Sequence, residues 1–205
     1  MKQKPGWVLP DLKEAQKRTA NTIDRIDTFT IPEAARMMGR GKTYFISTYG
    51  CQANERDSET LAGILDELGF TPNETAEGSD VIIINTCAIR QNAEEKVLGE
   101  IGNFKRLYRE NKDLIIGVCG CMAQEEGLVE TLLTKYPQVR LLFGTHNIQE
   151  LPSMLYSCMF EGKKVVKIYS KEGEVYENLP VHRFGTFKAW VNIMYGCDKF
   201  CTYCI

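Results

Sequence analysis

Histidine is nearly missing from this chain: His146 and His182 are the only two among 205 residues. That scarcity leaves no His-rich metal tract, and no nucleophile–His–acid triad is legible. Long apolar runs are missing as well. A membrane-spanning helix needs roughly 18 or more consecutive apolar residues, and no segment supplies them. No apolar stretch follows Met1-Lys2-Gln3-Lys4, so no secretory leader is expected. A G-x-G-x-x-G turn and a phosphate loop are both absent, which removes the simplest nucleotide-binding readings. No internal repeat or low-complexity tract is found. Nor is there an excess of one charge: 25 Lys/Arg stand against 27 Asp/Glu, a net charge of -2. A chain so balanced is not, as a whole, an electrostatic nucleic-acid binder. Residues 1–42 depart from this balance, with nine Lys/Arg against five Asp/Glu. We read them as a solvated arm, with an RNA contact as the alternative.

What the chain does have is cysteine, eight in all. With no leader and no span, a cytoplasmic location is expected. In a reducing compartment, cysteines at motif spacing point to metal or catalysis rather than to disulfides. A hydrophobic fraction of 43% is ordinary for a globular chain of this length, which can build one good core and the start of a second.

Regular patterning begins near Lys42. Residues 43–48, 80–84, 114–118 and 139–143 read as strands, the middle two apolar apart from Asp80, as buried parallel strands are. Between and after them, residues 54–68, 92–111, 124–136 and 147–158 read as helices. Leu61, Ile64, Leu65 and Leu68 fall at helical spacing, and Gly69 suits the C-terminal cap. Short helices are expected over 11–20 and 32–38. This alternation predicts an α/β fold, an open and mostly parallel sheet with helices on both faces. We divide the chain into an arm (1–41), the α/β domain (42–158), a linker rich in Lys, Glu and Gly (159–186) and the start of a further domain (187–205). A strand is expected at 165–169 in the linker, and another over 187–194 running into Cys197.

Cys51, Cys87 and Cys121 each fall just past a predicted strand and just before a predicted helix. In a parallel sheet all strand C-termini share one edge, where such folds place ligands, so cysteines far apart in sequence can meet there. Helix N-termini offer free N–H groups and a positive dipole end to thiolates. Three ligands leave one position of a 4Fe–4S cluster open for reaction. Two other readings stand beside this one. Each residue could be a buried apolar thiol, and a zinc site is the chemical rival, although zinc usually takes four ligands and often a close C-x2-C pair. Cys119, beside Cys121, and Cys158 are read as core.

Cys197-Asp198-Lys199-Phe200-Cys201-Thr202-Tyr203-Cys204 is a C-x3-C-x2-C motif. Three thiolates within eight residues converge only in a tight loop. The motif resembles the cluster loop of the radical-SAM superfamily, including the aromatic residue before the last cysteine.

Further segments extend that likeness: Tyr49-Gly50-Cys51-Gln52-Ala53-Asn54, Asn85-Thr86-Cys87-Ala88-Ile89-Arg90, Gly120-Cys121-Met122-Ala123-Gln124 and Phe143-Gly144-Thr145-His146-Asn147. Together they resemble the methylthiotransferases, from about Lys42 to Ile205. Gln52 and Asn54 fit the subgroup acting on isopentenyladenosine in tRNA better than relatives acting on threonylcarbamoyl-adenosine tRNA or ribosomal protein S12. Ala53 departs from the pattern, where Met is commoner.

The resemblance implies two 4Fe–4S clusters. Cys197, Cys201 and Cys204 would ligate one, whose fourth iron binds S-adenosylmethionine, with Tyr203 against the adenine. Cys51, Cys87 and Cys121 would ligate the other, which supplies sulfur. The expected reaction is methylthiolation of C2 of isopentenyladenosine next to the anticodon, with a second S-adenosylmethionine giving the methyl group. The implied partners are tRNA carrying isopentenyladenosine and an electron donor such as flavodoxin or ferredoxin, with no membrane and a monomeric enzyme. It further implies that the rest of a radical-SAM barrel and a small RNA-binding β-domain lie beyond Ile205. Residues 1–205 alone would then be inactive, and their C-terminal triplet disordered, misplaced or metal-free. The alternative is a stand-alone iron–sulfur or redox module.

Overall fold

The computed structural model describes residues 24–26, 28–87, 91–168 and 174–193. The strands are β1 (Asp24–Ile26), β2 (Thr43–Tyr49), β3 (Thr71–Pro72), β4 (Val81–Thr86), β5 (Ile115–Gly120), β6 (Val139–Phe143), β7 (Val165–Lys167) and β8 (Glu174–Tyr176). The helices are α1 (Gln52–Glu67), α2 (Gln91–Glu110), α3 (Glu126–Lys135) and α4 (Leu151–Phe160). Six strands make one wholly parallel sheet in the order β3-β2-β4-β5-β6-β7.

Strand β4 shows why the sheet forms. Successive side chains of a strand point to opposite faces, and here both faces are apolar. Val81 and Ile83 enter one core with Leu61, Ile64 and Leu65 of α1 and Leu151, Met154 and Leu155 of α4. Ile82 and Ile84 enter the other core with Val97, Ile101 and Phe104 of α2 and Leu128, Val129 and Leu132 of α3. Helices thus cover both faces, as the continuous apolar runs predict. No described helix is long and apolar enough to cross a membrane.

Several elements differ from expectation. Strands β4 and β5 run two residues further than their apolar stretches, through Asn85-Thr86 and Cys119-Gly120, because the ladder continues past the last aliphatic residue. The expected helix over 124–136 opens as a separate 3-10 turn at Cys121–Gln124. The helix expected over 147–158 is preceded by a 3-10 turn at Thr145–Glu150. Over 32–38 only a 3-10 turn, Glu33–Ala35, forms. The strand expected over 187–194 is not found at 187–193. Phe187 and Ile193 there are almost fully exposed, and an apolar run becomes a strand only where a neighbour pairs its backbone. One small sheet was not anticipated: β1 pairs in parallel with β8. The helix expected over 11–20 lies outside the described residues.

Candidate metal centre

The strand order changes direction between β2 and β4. From β2 the chain steps to the edge strand β3, then crosses back to β4 and continues outward through β5, β6 and β7. The C-terminal edge at such a switch point is where open α/β sheets form a ligand crevice. Register makes this edge level, since Tyr49 pairs with Thr86 and Thr86 with Gly120. Cys51 follows this row by two residues, and Cys87 and Cys121 by one. The three cysteines therefore leave three adjacent strands at one edge.

Two glycines shape the loops. Gly120 adopts φ 96° and ψ -168°, a region essentially reserved for glycine. A Cβ there would stand 2.1 Å from the Thr86 carbonyl oxygen. This turn separates two cysteines only two residues apart. Cys119, still inside β5, is fully buried in the core beneath α1 and α4, whereas Cys121 is exposed. Gly50 has φ 151°, and a Cβ on it would lie 2.7 Å from the Cys87 Cβ. The absence of a side chain at Gly50 thus lets the Cys51 loop close against Cys87.

A buried polar network fixes the same loops. Asn54 Oδ1 accepts the Cys51 backbone N–H at 3.2 Å and the Cys51 thiol at 3.4 Å. Asn54 Nδ2 donates to Asn85 Oδ1 at 3.1 Å and to the Thr86 carbonyl at 3.2 Å. Asn85 Nδ2 donates in turn to the Asn54 carbonyl at 2.8 Å and to Ser58 Oγ at 3.0 Å. Asn54 and Asn85 are both buried, and satisfied networks of this kind are rigid. The first turn of α1 is thereby locked to the end of β4. Thr86 Oγ1 donates to Met122 Sδ at 3.3 Å, and Gln124 Nε2 donates to Thr145 Oγ1 at 3.4 Å, so the loops after β5 and β6 are tied as well.

The electrostatics join the three thiols. The Cys121 thiol is pushed up, first by the burial of its inner side, then by Cys87, Cys51 and Asp57. Cys119 is raised well above the ordinary thiol range, mainly by burial, so it stays a protonated core residue. Burial also raises the Asp57 carboxyl, against the opposing pull of Arg56 and His146. His146 is exposed and contributes to the field at Asp57. Cys158 is buried in α4, its thiol pushed up to about 11 chiefly by burial. The described cysteines are all free thiols.

Among the described residues, no group of three or more His, Cys, Asp or Glu side chains is set to hold a single metal ion. A tetrahedral zinc centre usually takes four ligands, and this edge brings three cysteines. A 4Fe–4S cluster is larger than one ion, and each ligating thiolate binds a different iron. Three free thiols at neighbouring strand ends, whose negative charges would oppose one another, fit that group: iron binds thiolates and releases their protons. Cys197, Cys201, Tyr203 and Cys204 lie outside the described residues, as do residues 1–23 of the arm expected over 1–41. In the sequence Asn85 stands only as a neighbour of Cys87, and Ser58 and Asp57 belong to no motif. One signal was available: Asp57, Ser58, Glu59 and Thr60 form a polar run on a helix that buries them all.

Comparison with known proteins adds a lineage. Residues 43–144 match the family described as Uncharacterized protein family UPF0004. The chain is 57% identical over 196 residues to the tRNA-2-methylthio-N(6)-dimethylallyladenosine synthase of Staphylococcus saprophyticus, covering 96% of this chain and 38% of that protein. The like-named synthase of Geobacillus thermodenitrificans is 55% identical over 196 residues. That of Bacillus licheniformis is 54% identical over 199 residues, covering 97% of this chain and 39% of the relative. The chain thus spans less than two fifths of the length of these curated relatives.

Proposed function

Because the chain belongs to the methylthiotransferase family and matches the N-terminal portion of its members, we propose that it is part of an enzyme that methylthiolates C2 of isopentenyladenosine in tRNA. One observation carries the assignment of the site: Cys51, Cys87 and Cys121 follow three adjacent parallel strands, in register, at the switch point of the sheet. In this reading their thiolates hold a 4Fe–4S cluster that, when bound, supplies sulfur to the substrate.

The chain's own residues prepare that edge. Asn54 and Asn85 hold the Cys51 loop against β4. Gly50 and Gly120 let the backbones approach. Cys119 fills the core and takes no part. Cys197, Cys201 and Cys204 hold the second cluster of the proposal, which binds S-adenosylmethionine, with Tyr203 at its adenine. The names of the relatives support tRNA as the substrate. The electron donor of the proposal is a flavodoxin or ferredoxin.

The whole protein, reconstituted anaerobically with iron and sulfide, is the material for the test. Given S-adenosylmethionine, a reductant and tRNA carrying isopentenyladenosine, it should yield the 2-methylthio nucleoside, read by mass spectrometry of digested tRNA. Modification of threonylcarbamoyl-adenosine tRNA or ribosomal protein S12 instead would overturn the substrate. A loaded protein that modifies none of the three would reduce the chain to an iron–sulfur or redox module.

A further inference from the structure

Gly63 sits in the middle of α1, where glycine costs helix stability relative to alanine. The structure shows what occupies the space. A Cβ on Gly63 would lie 2.5 Å from the carbonyl carbon and oxygen of Pro180 and 2.5 Å from the Val181 nitrogen. The segment over 180–192 lies directly on this helix. Next to Gly63, the His182 backbone N–H donates to the Glu59 carbonyl at 2.9 Å. His182 Nδ1 meets Asp66 Oδ2 at 2.6 Å. Arg183 pairs with the buried Glu59 carboxylate. Further along, Lys188 pairs with Glu55 and Arg56 donates to Asn192 Oδ1.

These contacts have a direction. Residues 55, 59, 63 and 66 share one face of α1. The segment meets residues 66, 63 and 59 first and residues 55 and 56 last, so it runs antiparallel to the helix, toward the end capped by Cys51. Apolar burial contributes little to its hold, because Val181, Phe184, Phe187 and Val191 are all exposed. Close backbone packing at Gly63 and the polar contacts do the holding. Five residue steps, at most about 18 Å of extended chain, lead from Asn192 to Cys197. Arg56, the partner of Asn192, is five residues from Cys51, about 8 Å along the helix.

We propose that residues 180–192 form a clasp on α1, registered by Gly63, Glu59 and Arg183, that holds Asn192, five residue steps before Cys197, against Arg56 near the Cys51 end of the helix. Gly63, Glu59 and Arg183 are positioning residues in this scheme; they act through the clasp. The part of the proposal that concerns the two cysteine motifs rests on the methylthiotransferase reading above. The clasp itself does not.

The test uses Gly63→Ala and Arg183→Glu in the whole protein, with Gly99→Ala in α2 as control, since nothing lies within 4 Å of a Cβ at Gly99. Hydrogen exchange on the metal-free protein reads the clasp directly. Gly63→Ala should raise exchange of the His182 amide, which donates to Glu59, by tenfold or more while the amides of α1 stay protected, and Gly99→Ala should change neither. Arg183→Glu, placed on the clasp and away from the sheet, should do the same if Gly63→Ala fails to fold. In the reconstituted protein, both variants should keep their iron and still cleave S-adenosylmethionine, but lose tenfold or more of product formation. Unchanged protection of the His182 amide in both variants would overturn the clasp. Lost protection with full product formation would overturn its positioning role. A wild-type protein that makes no methylthio product would instead count against the proposed function, and the exchange data would still decide the clasp.

Discussion

Replacing Cys121 by Ala in the reconstituted whole protein should remove about half of its iron, because one of two similar clusters is lost. Methylthiolation should vanish, while S-adenosylmethionine cleavage, which in this account depends on Cys197, Cys201 and Cys204, should persist. Cys119→Ala is the matched control two residues away. Cys119 is fully buried in the core, so its replacement should cost about 1 kcal/mol of apolar burial and leave iron and thiolation near wild type. The pair discriminates sharply because the two cysteines are near neighbours in sequence and differ only in where Gly120 turns the chain. If Cys119→Ala removes iron and thiolation while Cys121→Ala spares both, the ligand has been assigned to the wrong residue. If neither change matters, the three thiols are no more than a structural cluster.

Gly120→Ala should be nearly as damaging, by a different route. Its backbone conformation is a glycine-only one, and an added side chain there costs about 1–3 kcal/mol in strain alone. The Cβ would also stand 2.1 Å from the Thr86 carbonyl, and backbone atoms cannot swing aside as a flexible side chain can. The ends of β4 and β5 must separate, carrying Cys87 and Cys121 apart. We expect a loss of about 3 kcal/mol, about 6–12 °C in melting temperature for a chain of this size, and failure to retain the cluster of Cys51, Cys87 and Cys121. Gly127→Ala in α3, where nothing stands within 4 Å of an added Cβ, should cost nothing comparable. A Gly120→Ala protein that melts like wild type and loads normally would show that the close approach of the two strand ends is dispensable.

The sheet was legible because its interior strands are buried on both faces. Val81-Ile82-Ile83-Ile84 and Leu114-Ile115-Ile116 read directly as such strands. Short elements were not legible. β3 has two residues and β1 and β8 three each, too few for any period to register, and β1 meets β8 only because the fold brings Asp24 beside Glu174. The run over 187–193 misled in the opposite direction, since apolar residues signal a strand only if something covers them. At the site, the three cysteines could be grouped from their equivalent places after strands. The Asn54–Asn85–Ser58 network could not be, because Asn54 and Ser58 lie on α1 and Asn85 on β4, and the hydrogen bonds exist only after β4 has docked beneath α1. Gly63 was hidden for a related reason: a glycine within a helical pattern records a close neighbour without naming it, and that neighbour is more than a hundred residues away.

Iron counting on a whole protein in which Cys197, Cys201 and Cys204 are all replaced by Ala tests the central claim most directly. With the second motif removed, iron and sulfide bound after anaerobic reconstitution report on the sheet edge alone. About four irons and four sulfides per chain are expected, abolished when Cys87→Ala is added, because Cys87 follows the middle of the three strands. Iron at background in the triple variant, or full loading that survives Cys87→Ala, would contradict the claim.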